Sequence, residues 1–123
     1  MTIVFDSSCW IEVLTQGPLS KICDKELRNA TQVLIPTIVI YEVYKKISSS
    51  ISEDQALSVV ALMSQHKIVD LTRDISIAAA DLSLARKLPM ADSLVLAHAQ
   101  YEDAILVTLD NEFRGIPHVK ILR

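Results

Sequence analysis

Apolar residues run without alternation at the start of the chain, where Ile3-Val4-Phe5 lead straight into Asp6. A strand over residues 2–5 with no polar face suits a parallel sheet covered on both sides. Similar short runs recur in QVLI (32–35), stopped by Pro36, in KIVDL (67–71), and in AILVTL (104–109), which ends on Asp110. VKIL (119–122) reads as a fifth strand at an edge. Between these runs the apolar positions take helical spacing. A short helix is predicted from Ser8 to about Leu14, with Ser7 or Ser8 as its cap and Gly17-Pro18 breaking it. Helices are also predicted over 19–29, over 37–49 with Thr37 as cap, and over 53–65 with an apolar face of Ala56, Leu57, Val60, Ala61 and Met63. Two more run from a capping Asp74 to about Leu88, ended by Pro89, and over 91–103. TIVIY (37–41) taken alone also reads as a strand. Strands separated by helices predict an α/β fold with a mainly parallel sheet.

Composition narrows this picture. At 123 residues, half of them hydrophobic and 22% charged, the chain fits one domain, residues 1–123, with a sizeable core and no need of metal or disulfide staples. Only two glycines occur, which disfavours turn-rich all-β folds. No apolar run reaches the roughly eighteen residues of a membrane span, and no basic start followed by a long apolar run reads as a signal peptide. Cys9 and Cys23 lack CxxC spacing and nearby histidine pairs, so they read as reduced, buried thiols of a cytoplasmic protein.

Four acids stand in positions that a core does not usually tolerate. Asp6 and Asp110 each follow an apolar strand, so parallel strands put both at the same sheet edge, where sites of such sheets lie. Glu42 interrupts the apolar half-helix IVIYEVY, and Asp92 opens a helix whose next residues are mostly apolar. Each has an ordinary reading: Glu42 as a surface ion pair with Lys45 or Lys46, Asp92 as a helix cap, Asp110 as a turn residue. Together, four converging carboxylates repel one another and raise their pKa values unless a cation is present. Hard oxygen donors in that number suit Mg²⁺ or Mn²⁺, which support phosphodiester hydrolysis. Ser8 and Thr108, each two residues from an acid, are candidates to orient the ligands.

FDSSCWIEVL, IYEVYKK, LPMADSLVLAHA and LVTLDNEFRGI, in that order, together resemble the motifs of PIN-domain proteins, and most closely those of VapC-type toxins of prokaryotic toxin–antitoxin pairs. The resemblance spans essentially the whole chain. It implies a three-layer α/β sandwich around a five-stranded parallel sheet of order 3-2-1-4-5. It assigns metal-site roles to Asp6, Glu42, Asp92 and Asp110, with Ser8 and Thr108 as supporting polar groups. It further implies Mg²⁺- or Mn²⁺-dependent endoribonuclease activity leaving 5′-phosphate and 3′-hydroxyl ends, a cognate antitoxin and a homodimer.

The net charge of −3 at first disfavours an RNA partner, yet the chain without the four acids carries +1. A modest basic rim then suffices, and Lys45, Lys46, Arg86, Lys87 and Arg114 are its candidates, each also readable as a solvated helix charge. No basic stretch interleaved with aromatics is evident for stacking bases. Glu112 is expected to face solvent and His98 to be packed rather than catalytic. Asp70 and Asp81 are expected at the surface, and Trp10 either in the core or on a dimer face. Two other readings remain at this point: a PIN-type RNA-processing nuclease that is not a toxin, and a phospho-accepting receiver module. The receiver wants adjacent acids after its first strand, where Ser7 stands, an acid such as Asp70 ending its third, and a lysine ending its last, whereas Lys120 lies inside a strand.

Overall fold

A computed structural model describes all 123 residues. Five strands, β1 (Thr2–Phe5), β2 (Gln32–Pro36), β3 (Lys67–Val69), β4 (Ile105–Thr108) and β5 (Val119–Ile121), form one sheet in the order β3-β2-β1-β4-β5. Every pairing is parallel, with Phe5 level with Val107 and Thr108 level with Ile121. Six helices join them: α1 (Ser7–Leu14), α2 (Ser20–Asn29), α3 (Thr37–Ser50), α4 (Glu53–Met63), α5 (Arg73–Arg86) and α6 (Met90–Tyr101). A 3₁₀ turn over Asn111–Phe113 links β4 to β5. This is the three-layer α/β architecture and strand order expected from the sequence. A receiver-type sheet, ordered 2-1-3-4-5, is thereby excluded. Asp70 is exposed beyond the edge strand, and Lys120 pairs with Glu26.

The unbroken apolar runs are explained by burial on both faces. Ile3, Val4 and Phe5 point alternately up and down, and all three are inaccessible, as are Leu106 and Val107 beside them. These residues anchor a core of 25 buried side chains. Trp10 belongs to it, meeting Phe5 edge-on at 5.1 Å, which settles its placement in the core. His98 is buried with neither ring nitrogen hydrogen bonded, and burial lowers its pKa, so the neutral imidazole acts as packing. Asp81 is exposed.

Several helix ends differ from the sequence reading, for one shared reason: a cap is set by where the backbone leaves the preceding strand or loop. Asp6, not Ser7 or Ser8, caps α1. Thr72, not Asp74, caps α5, its hydroxyl accepting from the Ile75 N–H at 3.2 Å. Pro36 occupies the cap position of α3, with Thr37 already helical. Lys87 ends α5 in the left-handed conformation, φ 58°. The buried face of α4 is Ala56, Val59 and Met63, one step round from the expected stripe, and Leu57 and Ala61 face outward.

Candidate metal and nucleic-acid site

The carboxyl ends of β1 and β4 lie side by side, because the Asp6 N–H donates to the Val107 carbonyl at 2.9 Å and extends their ladder by one residue. Asp6 is only 4% exposed. Its Oδ1 accepts from the Ser7 N–H at 2.8 Å, and its Oδ2 accepts from the Thr108 hydroxyl at 2.7 Å and the Ser8 hydroxyl at 3.1 Å. The two hydroxyls also lie 3.4 Å apart. Ser8 Oγ accepts the Leu109 N–H at 3.1 Å, and Thr108 Oγ1 accepts the Asp110 N–H at 3.0 Å. Ser8 and Thr108 thus bolt the start of α1 to the end of β4 through the carboxylate between them. Burial raises the Asp6 pKa, the three hydrogen bonds oppose that rise, and the charge of Asp110 adds to it.

Asp110 caps the 3₁₀ turn, its Oδ1 accepting from the Glu112 N–H at 2.9 Å. The turn role expected of an aspartate here is therefore real, and it holds the carboxylate beside the strand ends. The two helix-borne acids are held differently. Asp92 sits in the first turn of α6 but does not cap it; Pro89 stands at the cap position without a side-chain bond. Desolvation, then the charges of Asp110, Asp6, Glu42 and Glu112, push Asp92 up to about 7. Glu42 makes no ion pair with Lys45 or Lys46; the three ion pairs of the protein lie elsewhere. Its pKa is raised by partial burial and by Asp6, with the Ser7 hydroxyl acting in the opposite direction. Ser7, passed over in the sequence in favour of Ser8, thus faces Glu42 while Ser8 faces Asp6.

The four acids predicted from the sequence therefore come from four segments into one another's electrostatic field. Their donor set, carboxylate oxygens supported by hydroxyls, is that of a hard divalent cation. No three acidic, histidine or cysteine side chains are drawn close enough together to enclose an ion by themselves. Glu112, expected to face solvent, is exposed, yet its charge reaches Asp92.

Two clefts flank the acids. One, about 260 Å³, is lined by Tyr41, Glu42, Lys45, Lys46 and Ser49. Lys45 Nζ stands 5.6 Å above the exposed Tyr41 ring. No basic stretch interleaved with aromatics was expected from the sequence, yet Tyr41-Glu42-Val43-Tyr44-Lys45-Lys46 is a short one, and the i, i+4 spacing on α3 brings Lys45 over Tyr41. The other cleft, about 870 Å³, is lined by Ser8, Glu12, Leu109, Asp110, Asn111, Glu112 and Arg123. Arg86 and Lys87 are exposed at the end of α5 and line neither cleft. Arg114 is exposed and donates to the Asn111 side chain at 3.1 Å. Arg123, which drew no attention in the sequence, is brought to the site only by the pairing of β5 with β4.

Comparison with known proteins agrees with the fold. A family model described as PIN domain matches residues 3–119. Among solved structures, a toxin–antitoxin complex from Klebsiella pneumoniae contains a chain similar over 98% of both chains, with 25% identity and a TM-score of 0.85. VapBC2 from Rickettsia felis, bound to a promoter DNA fragment, matches over 100% of both chains at 22% identity and a TM-score of 0.79. VapC20 from Mycobacterium tuberculosis, a Sarcin-Ricin loop cleaving toxin, matches over 98% of this chain and 99% of its own at 15% identity and a TM-score of 0.82. None of the curated proteins matches by sequence.

Proposed function

The chain belongs to the PIN domain family, and from that premise we propose that it is a Mg²⁺- or Mn²⁺-dependent endoribonuclease, the toxin of a VapBC-type toxin–antitoxin pair. One observation supports the chemistry: Asp6 and Asp110 end the adjacent parallel strands β1 and β4, and Glu42 and Asp92, distant in sequence, lie within the electrostatic reach of that edge. In this reading Asp6, Glu42, Asp92 and Asp110 hold the cation. The chemistry such a cation supplies when bound is activation of water for attack on phosphorus and neutralisation of charge building on the phosphate oxygens. The protein's own contribution is placement. Thr108 and Ser8 fix the Asp6 carboxylate and favour its ionised form. Asp92, which holds its proton to higher pH than an ordinary aspartate because of desolvation and the neighbouring acids, would have to be ionised to hold a cation. Lys45 and Lys46, beside Glu42, receive the RNA backbone, with Arg86, Lys87 and Arg114 as weaker, peripheral contacts. Hydrolysis of this kind leaves 5′-phosphate and 3′-hydroxyl ends.

The toxin role is supported by the similarity to chains of toxin–antitoxin complexes. It brings with it a cognate antitoxin, a homodimeric state and a cytoplasmic setting. No helix is long and apolar enough to cross a membrane. The test is cleavage of RNA by the purified protein with Mg²⁺ or Mn²⁺. Cleavage should stop with EDTA and fall on the order of a thousandfold in Asp6→Asn, since loss of several kcal/mol of charge stabilisation at about 1.4 kcal/mol per factor of ten amounts to that. Cleavage that survives both changes overturns the mechanism. Expression alone should arrest growth; cleavage without arrest marks an RNA-processing enzyme instead.

A further inference from the structure

The wall of the larger cleft is acidic where a nucleic acid would have to pass. Glu12, Asp110 and Glu112 line it, and Arg123 is its one cation. The backbone around Arg123 is not loose. The Leu122 N–H donates to the Thr108 carbonyl at 3.0 Å, so the chain leaving β5 is tied to the strand end that precedes Asp110. Arg123 Nη1 then donates to the Leu109 carbonyl at 3.3 Å, which parks the guanidinium one residue before Asp110. No carboxylate pairs with it, although three line the same cleft. Its Nη2 and Nε bond to nothing else in the protein. An arginine held by a neutral carbonyl keeps its full charge and a free edge of its planar fork, the geometry that matches two phosphate oxygens at once. Arg114, the other arginine of this region, is engaged with Asn111.

We propose that Arg123 is a substrate-positioning residue that grips the RNA phosphodiester next to the one being cut, on the β5 side of the acid cluster. The substrate backbone then crosses the sheet edge between two cationic holds, Lys45 and Lys46 on α3 and Arg123 beyond β5. The acids between them lie under the scissile phosphate. This role rests on the ribonuclease reading of the site. It also accounts for how an acidic cleft accepts a polyanion: the one cation lining it is held by a neutral carbonyl and pairs with none of its acids.

The experiment compares wild type, Arg123→Gln and Arg123→Lys on a fluorescent single-stranded oligoribonucleotide. Turnover is measured with Mg²⁺, and binding by anisotropy against salt with each substitution placed in the Asp6→Asn background. Arg123→Gln should raise KM about tenfold with kcat within about threefold. It should also flatten the slope of log K against log salt by about 0.7, one lost phosphate contact on a single strand. Arg123→Lys should restore the slope but only part of the affinity, because an ammonium does not reproduce the two-pronged contact. Unchanged thermal unfolding should accompany both. An unaltered KM and salt slope in Arg123→Gln overturns the proposal, as does a fall in kcat alone, which would mark a structural role through Leu109. If wild type cleaves no RNA, the ribonuclease reading falls and the salt slope judges Arg123 by itself; an unchanged slope then overturns both.

Discussion

The strand-borne and helix-borne halves of the acid cluster are built on opposite principles. Asp6 and Asp110 sit at the ends of β1 and β4 and are wired into the backbone: Asp6 accepts three hydrogen bonds, and Asp110 caps the next turn. Glu42 and Asp92 sit on α3 and α6 and accept none that caps a helix or pairs an ion. Burial affects both halves, but only Asp6 is compensated by several donors inside the protein. Asp92, facing the other acids without such donors, is the group pushed up to about 7. One half is therefore finished by folding, and the other is finished by whatever positive charge arrives. A cluster built this way keeps two carboxylates rigid and leaves two responsive to their surroundings.

The sharpest way to break the contrast is to remove the wiring of the rigid half. Thr108 is fully buried and serves Asp6 as donor and Asp110 as acceptor. Thr108→Val should lower metal affinity or cleavage by about 10–100-fold. It should also cost about 1–3 kcal/mol in a denaturant titration, since the Asp6 carboxylate and the Asp110 N–H lose a partner away from water. Thr108→Ser should recover most of both, and an inert Thr108→Val would show that the hydroxyl is dispensable.

The responsive half should answer to pH instead. For Asp92 the folded pKa, about 7, lies above the ordinary 3.8, so the folded state favours the protonated acid. Its contribution to stability is complete below about pH 3.8 and is lost as pH rises toward 7. In the metal-free protein, Asp92→Asn should therefore raise the thermal midpoint by a few degrees at pH 8 and change it little at pH 4. Mg²⁺ should raise the wild-type midpoint at pH 8 and the variant's much less. A variant no more stable than wild type at pH 8 would remove the argument that the acids strain one another.

The smallest effect belongs on the outer strand β5, at a residue that faces α2 and not the acid cluster. Lys120 pairs there with Glu26, and the lysine is more than half exposed. Lys120→Ala should shift stability by about 1 kcal/mol or less and leave RNA cleavage unchanged. A large loss of activity from this change would mean that the site is not confined to the edge carrying the four acids.

Much of this site was legible along the chain because its key residues contradict their surroundings. A carboxylate ending an unbroken apolar strand, as Asp6 and Asp110 do, or interrupting IVIYEVY, as Glu42 does, is costly enough to demand an explanation, and Asp92 opens a helix whose next residues are mostly apolar. The fold class followed from strands without a polar face alternating with helices. Local capping was less legible. Ser7, Ser8 and Asp6 are all competent caps by chemistry, and only the ladder bond from Asp6 to Val107 decides that the carboxylate is the one at the turn. The buried face of α4 lies one step from the stripe its sequence suggests, because its apolar residues outnumber the positions its neighbours cover.

What the sequence by itself determined is thus the inventory: five short strands, helices between them, and four acids whose positions, taken together, ask for a shared counterion. What the tertiary structure alone decided is proximity. Thr108 meets Asp6 across 102 positions because β1 and β4 are neighbours in the sheet. Arg123 stands near Asp110 because β5 closes the edge. Burial cost is a property each residue carries in its local sequence, whereas the partners that offset it come from strand order, which no local pattern encodes.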